Sequence, residues 1–428
     1  MASVAHSPTR FNHLVEDPIF KLREFVRQKL PSLNTAIELK RSPLGVLVAL
    51  ALPIVTDAVA EAYARIGRMD RAAALEYLQL LGFVISSVER HSQAAGNKPG
   101  EGKAQLGLLD DLLINLGRIA QHPPRDTDTT YWYRNRQALL SFTGDAQEAQ
   151  FNSIVNLQRE AQRMACRLLR PICSQEVPVS SPEAADAVRQ AADSLERIVE
   201  GYRTFTDPGP GGTWRFSPDF FMRSMRTYLV SYRVGGEIWA GPNAANLAAN
   251  MELDYLAGVT EPWYAEVVQS RWRYLIWEDQ LELETDMKSV SLTERMIQAL
   301  GLNASFILNT ETETLAQCFA NSPVNVKQML CAYYLLMAPI TQGTGVHFRL
   351  IKDYLIRNSA SLTPEEQKSL PVNPGHGTGG MGHDKTHAIM EMRRKHPVVS
   401  KLTAAIRLAL PEARQMHGAS HEGSVRHA

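Results

Sequence analysis

Three histidines and four glycines stand in one short stretch of the sequence, HGTGGMGHDKTH, at residues 376–387. Backbone N–H groups in glycine-rich turns collect anions, but neither GxGxxG after a predicted strand nor GxxxxGK[ST] occurs here, which argues against a nucleotide. His383 and His387 are four residues apart and would share a helix face, as zinc ligands do. The HExxH glutamate and a marked third ligand are missing, so a helix that begins near His383 with two partly solvated histidines is the alternative.

His347 is the second candidate for chemistry, in the stretch GTGVHFRLIKDYLIRN. The pattern predicts a helix that starts near Gly345 and carries an apolar inner side. A histidine on such a face is more often a hydrogen-bonded core residue than a ligand. No other histidine lies between His122 and His347, however. A metal centre in the main part of the chain would therefore have His347 as its natural single ligand.

Helical spacing dominates the elements that must position these residues. AAALEYLQLLGFVISSVERH and LLDDLLINLGRIAQH repeat apolar residues at intervals of three and four, and PEAADAVRQAADSLERIVEGYRTF adds a proline at a first helical position. Alternation typical of strands is almost absent. We therefore predict an all-α fold.

Breaks in this pattern occur where glycine and proline gather: QHPPRD at 121–126, DPGPGGTW at 207–214, and a long segment at 358–380. A loop longer than about 15 residues in a compact domain is usually a lid, a binding loop or a disordered segment. We predict a small N-terminal helical domain (1–123) and a large helical domain (124–428) with a lid at 358–380 and a polar C-terminal tail.

Composition narrows the class of protein. The 45 Lys plus Arg balance the 45 Asp plus Glu, so no polyanionic partner such as nucleic acid is indicated. The four cysteines show no CxxC pair, which favours a reduced, cytoplasmic protein. The apolar stretch 44–55 is about half of the ~20 residues that span a bilayer, so we interpret it as a core helix and expect no membrane association.

Four segments, in order, carry a resemblance: SFTGDAQEAQF, FSPDFFMRSMRTYLVSYRVGGEIWAGPNAANLAANMELDYLAG, VHFRLIKDYL and HGTGG. Together they resemble the haem-dependent superfamily of indoleamine 2,3-dioxygenase, and within it the monodechloroaminopyrrolnitrin synthase family. The resemblance runs from about residue 124 to 392, and no motif supports it in the first ~120 residues, which would correspond to the small helical domain. It implies the helical haem fold of that superfamily, with haem b as cofactor.

Position by position, the resemblance implies roles for individual residues. His347 matches the proximal ligand of the haem iron, and Arg226 matches an arginine that pairs with the carboxylate of tryptophan, for which a guanidinium fork suits. Phe221 and Phe151 match aromatic residues that pack on the substrate ring. From the residues alone, two other interpretations have equal weight. Arg226 would be a surface arginine on an amphipathic helix, and Phe221 and Phe151 would be core residues.

Small residues match the rest of the site. Ala240, Gly241 and Pro242 match the segment that lies over the haem plane, where they leave space for oxygen and substrate. Thr378 matches a hydroxyl residue near the amino-acid group of the substrate, and Gly379 follows it in the same glycine-rich stretch beside the cofactor. Gly235 and Gly236 are interpreted as turn glycines.

The resemblance thus implies a haem-dependent oxygenase that acts on tryptophan or a tryptophan-like aromatic amino acid with dioxygen and an electron donor, in secondary metabolism. Met222 stands where the dioxygenase and the synthase families both keep an aromatic residue, which leaves the identity of the substrate in doubt. A same-fold enzyme for another amino acid and a non-catalytic haem-binding or interaction protein are the alternatives. The matched distal segments, 139–160 and 214–258, contain no histidine. The sequence carries no signal for the oligomeric state.

Overall fold

The computed structural model describes residues 17–127, 130, 140–206, 216–245, 248–360, 362–364, 370 and 381–411. The part of the chain that it describes is all-α apart from one short hairpin, as predicted. The expected loop at 207–214, most of the expected lid and the tail beyond residue 411 lie outside these residues.

The N-terminal helices are bounded as follows: α1 Pro18–Glu24, continued by a π-helical turn at Phe25–Lys29, α2 Leu30–Glu38, α3 Leu44–Arg65, α4 Arg71–Ala94, α5 Glu101–Ala104 and α6 Asp110–Ala120. Side-chain caps set some of these boundaries. Asp70 accepts a hydrogen bond from the Ala73 N–H at 2.7 Å and so satisfies a free donor at the start of α4. The QHPPRD break is confirmed, because α6 ends at Ala120 and Gln121 takes a left-handed conformation.

The middle of the chain contains α7 Ala146–Cys173, α8 Pro182–Thr206, α9 Pro218–Arg223, β1 Tyr232–Val234, β2 Glu237–Trp239, α10 Ala248–Ala257, α11 Tyr264–Arg271 and α12 Trp277–Lys288. The predicted long helix is confirmed as α8, which begins at Pro182. Strands β1 and β2 pair antiparallel with Val234 opposite Glu237. Gly235 and Gly236 between them both have positive φ, so their interpretation as turn glycines is confirmed.

The C-terminal elements are α13 Leu292–Ala299, α14 Ala304–Asn309, α15 Thr312–Ala320, α16 Val324–Leu350, a π-helix at Ile351–Ile356, α17 Arg357–Ala360, α18 His383–Lys395 and α19 Pro397–Ala409. The helix start predicted near His383 is confirmed. The start predicted near Gly345 is wrong, because α16 runs unbroken from Val324. A helical glycine costs only about 1 kcal/mol, and the packing of α16 against α8 outweighs it.

The two largest of four apolar clusters in the described structure hold most of these helices together. One is built on α7, α8 and α16, and the other on the N-terminal helices α1–α4 and α6. The N-terminal core also takes in residues Tyr228–Val234, which come after the expected domain boundary at residue 123. The two-domain division stays a prediction.

Helix α3 differs from the core helix that was expected over residues 44–55. One face contributes Leu47, Ala51 and Val55 to the N-terminal core, while Leu50 on the other face is exposed. Among the described residues, two helices are long and apolar enough to cross a membrane by length and composition: Leu44–Arg68, whose most apolar window is 22% buried, and Arg71–Ala94, whose window is 83% buried. The core-helix interpretation is therefore correct for one face of α3 only.

Candidate functional site

A large cavity opens where α7, α8, α9, α11, α16 and α18 approach one another. It encloses about 1390 Å³ including its open mouth. Its walls are mainly apolar and aromatic, with a few polar side chains among them. Of the residues predicted for the site, the cavity brings together His347, Phe221 and Phe151.

His347 lies three residues before the end of α16, and its imidazole is exposed to the cavity. Protein surrounds it on the other sides, and this burial, with the positive charge of Arg393, lowers the pKa of His347 to about 4. The ring is therefore neutral at pH 7, the state in which a histidine nitrogen can bind a metal ion. The Tyr202 ring packs beside it at a centroid distance of 5.7 Å.

The aromatic wall of the cavity is built from α7, α9 and the π-helix that follows α16. Phe151 packs against Phe221 at a ring-centroid distance of 5.6 Å, and Phe216 stacks on Tyr354 at 5.6 Å. The Tyr354 hydroxyl lies 2.9 and 2.7 Å from the carbonyl oxygens of Phe205 and Phe216, which ties the π-helix to the end of α8. The wall is thus a braced aromatic surface that suits a flat apolar ligand.

Arg226 occupies a 3₁₀ turn at Met225–Tyr228 and is 2% exposed. Its Nη1 lies 3.4 Å from the Met222 sulfur, and burial lowers the pKa of the guanidinium to about 10. Arg226 is not among the described residues that line the cavity, although Phe221 on the preceding helix is. Met222, the departure from the family pattern, is fully buried in the aromatic cluster behind the wall.

Ala240, Gly241 and Pro242 follow strand β2 as a tightly held segment. A Cβ on Gly241 would lie 2.2 Å from the Leu229 carbonyl oxygen, so close backbone packing requires glycine there. The Arg125 guanidinium donates to the Ala240 carbonyl. In the described structure the cavity is lined by the next residue, Asn243, and not by these three.

Thr378 and Gly379 lie outside the described residues. Met381 and Thr386, which follow them, line the cavity, so the chain arrives at the site directly after the glycine-rich stretch. His387 packs edge-on against Phe348 at 5.3 Å. Across the described ranges, no group of three histidine, cysteine or acidic residues is placed to hold a metal ion. A zinc site at His383 and His387 thus gains no third ligand there.

Sequence reasoning missed an ion pair behind His347. Arg393 on α18 donates from Nε and Nη2 to the two Asp254 carboxylate oxygens on α10, each at 2.7 Å, and the Tyr264 hydroxyl donates to Asp254 at 2.6 Å. Arg393 and Asp254 also line a second, more polar cavity of about 670 Å³ that shares His347 with the first. Charged residues 139 positions apart carry no mutual signal in one sequence. Only the packing of α18 against the core reveals them.

Two further polar residues of the main cavity were also missed. Arg271 ends α11, is 9% exposed and lines the cavity, where burial lowers the pKa of its guanidinium. Asn243 is 4% exposed and lines the same cavity. Its Nδ2 has no hydrogen-bond partner in the part of the chain that the structure describes. The one signal in the sequence for Asn243 was its position, directly after the segment Ala240–Pro242 that the resemblance places over the haem.

Helical architecture with a histidine at a mainly apolar and aromatic cavity defines an all-α protein with a pocket for a small molecule. A family model described as Monodechloroaminopyrrolnitrin synthase PrnB matches residues 47–322. The chain belongs to the monodechloroaminopyrrolnitrin synthase family, which confirms the resemblance seen in the sequence and makes the protein an oxidoreductase of a haem-dependent family. The match begins in α3, far ahead of residue 124, and ends before His347.

Proposed function

We propose that this protein is a haem-dependent oxygenase for tryptophan or a tryptophan-like aromatic amino acid in secondary metabolism. The observation that carries the proposal is the neutral imidazole of His347, which faces a large aromatic cavity in a chain of this family. His347 would hold the iron of haem b as its single protein ligand. When bound, the haem supplies the activation of dioxygen, with electrons from an external donor.

The residues of the chain supply orientation and exclusion of water. Phe151 and Phe221 offer faces on which an aromatic ring packs, and Tyr354 braces the π-helix behind them. The described lining contains no carboxylate and no histidine other than His347. Proton transfer in the cavity is therefore assigned to the substrate's own groups rather than to an acidic side chain or a second imidazole.

Met222 favours a pocket that accepts tryptophan-like rings of more than one shape. Its thioether is flexible and polarisable, and it packs behind the wall that includes Phe221. A wall with this backing can adjust to rings of different outline. We also propose a reducing, cytoplasmic setting, since Cys166, Cys173, Cys318 and Cys331 are all free thiols.

Absorption spectroscopy of the purified protein tests the proposal. We expect a Soret band that shifts on reduction and again when tryptophan or the correct analogue is added. His347→Ala should abolish the protein-ligated spectrum, while His387→Ala, which alters an exposed histidine that packs on Phe348, should leave it unchanged. A wild-type protein that takes up no haem would refute the proposed cofactor, and identical spectra for wild type and His347→Ala would refute the ligand.

A further inference from the structure

Helix α3 carries a long apolar face that is exposed in the described structure. The residues along the middle of this face follow one another at alternating intervals of three and four: Val46, Ala49, Pro53, Thr56, Ala60 and Tyr63. That spacing places them in one line along the helix. Leu50 and Leu52, which are 49% and 38% exposed, flank the line. A continuous exposed apolar surface of this kind is typical of an interaction site, whereas single exposed apolar residues are not.

Charged residues lie at either end of the apolar segment 43–56. Lys40 and Arg41 are exposed in the turn before α3, and Asp57 is exposed just after the segment. None of these three side chains belongs to an ion pair among the described residues. The only other polar group within the segment's exposed side, the Thr56 hydroxyl, donates to the Leu52 carbonyl of the same helix at 2.8 Å. The face therefore has a basic end, an apolar middle and an acidic residue at its other end.

This order of charges favours a second copy of the same face as the partner. When two α3 helices pack antiparallel, the Lys40–Arg41 turn of each copy lies beside the Asp57 region of the other, so opposite charges meet twice. An anionic lipid surface would attract Lys40 and Arg41 but repel Asp57. Charge complementarity is thus complete only with a second copy.

We propose that α3 is a self-association surface, on which two copies of this chain pair antiparallel about a two-fold axis level with Ala51. In this register Val46 lies opposite Thr56 of the second copy, and Leu50 lies close to its own equivalent. A helix of 22 residues is about 33 Å long, so its outer face is smaller than the ~800 Å² that each partner contributes to a standard interface. The dimer is therefore weak and forms as the protein concentration rises. No residue of α3 lines the main cavity, so the inference is independent of the proposed haem site.

Sedimentation velocity of the full chain over a range of concentrations measures the dissociation constant of this dimer. Leu50→Glu brings two acids together near the axis, and we expect it to weaken the dimer at least about 10-fold. Leu408→Glu is the matched control, because Leu408 is 48% exposed on α19, which packs in the other large core, and should leave the constant unchanged. Ala49→Glu, on the same exposed face, replaces Leu50→Glu if circular dichroism shows that the latter does not fold.

Charge reversal tests the antiparallel register. Arg41→Glu and Asp57→Arg should each weaken the dimer several-fold, and the two changes in one chain should restore most of the affinity, because opposite charges meet again. A dimer that is insensitive to Leu50→Glu, or single reversals that the double variant does not rescue, overturn the proposal.

A wild type that stays monomeric up to about 1 mM, where an association of only about 4 kcal/mol is visible, also overturns the proposal. Flotation of that monomer with vesicles of phosphatidylcholine and phosphatidylserine would assign the face to a lipid surface instead. The proposed function is tested separately, because the haem spectrum of Leu50→Glu should match that of the wild type.

Discussion

The ion pair between Asp254 and Arg393 should be among the most sensitive points of the fold. Both side chains are at least nine-tenths buried, both carboxylate oxygens accept from the guanidinium at 2.7 Å, and the Tyr264 hydroxyl adds a third hydrogen bond at 2.6 Å. Asp254→Asn removes the negative charge but keeps the shape of the side chain. Because it leaves a buried cation uncompensated, we expect the free energy of unfolding to fall by about 3–5 kcal/mol.

Urea unfolding followed by circular dichroism measures this loss. Glu284→Gln is the control, since Glu284 pairs with Lys288 on the exposed surface of α12 and such pairs contribute about 0–1 kcal/mol. The double variant Asp254→Asn with Arg393→Met should lose less free energy of unfolding than the two single variants lose in sum, because both charges are then gone. An Asp254→Asn protein within about 0.5 kcal/mol of wild type, or strict additivity in the double variant, would show that the pair does not hold α18 to α10 as we infer.

Three other changes have clear expected outcomes. Gly241→Ala should destabilise the protein by about 1–3 kcal/mol in urea unfolding, because its Cβ would meet the Leu229 carbonyl oxygen at 2.2 Å; an unchanged midpoint would contradict that close approach. Leu47→Ala should cost about 2–5 kcal/mol and Leu50→Ala less than about 0.5 kcal/mol, since the two residues of α3 are 0% and 49% exposed; equal losses would contradict the one-sided burial of this helix. Burial lowers the pKa of His91 to about 3, so the unfolded chain takes up more protons between about pH 6.5 and 3, and stability should fall as the pH falls through that window. His91→Gln should make this decrease shallower, and an unaltered slope would argue against a buried neutral His91.

Helix content was the part of the fold that local patterns could predict. Apolar spacing of three and four residues and the proline at position 182 were enough to place α8, and the glycine pair at 235 and 236 was enough to place a turn. The start of the His347 helix was predicted at Gly345, twenty-one residues after its position at Val324. Glycine penalties are small beside the packing of a long helix on its neighbours, and that packing is invisible in local sequence.

The candidate site divides in the same way. His347, Phe151 and Phe221 were found through a resemblance to a known family, and the fold brings all three to one cavity. Arg271 and Asn243 were not found, because neither type of residue stands out in a sequence with many arginines and asparagines. Their significance comes from burial against an apolar wall, which is a property of the assembled chain.

The sequence by itself determined the all-α class, the family and the histidine that faces the cavity, because helical periodicity and short motifs are local properties of the chain. The tertiary structure alone decided which charges meet. Asp254 and Arg393 pair, Arg226 lies outside the described cavity lining, and Arg271 lies within it. These outcomes depend on how helices distant in sequence pack, and the environment created by that packing sets the cost of every buried charge.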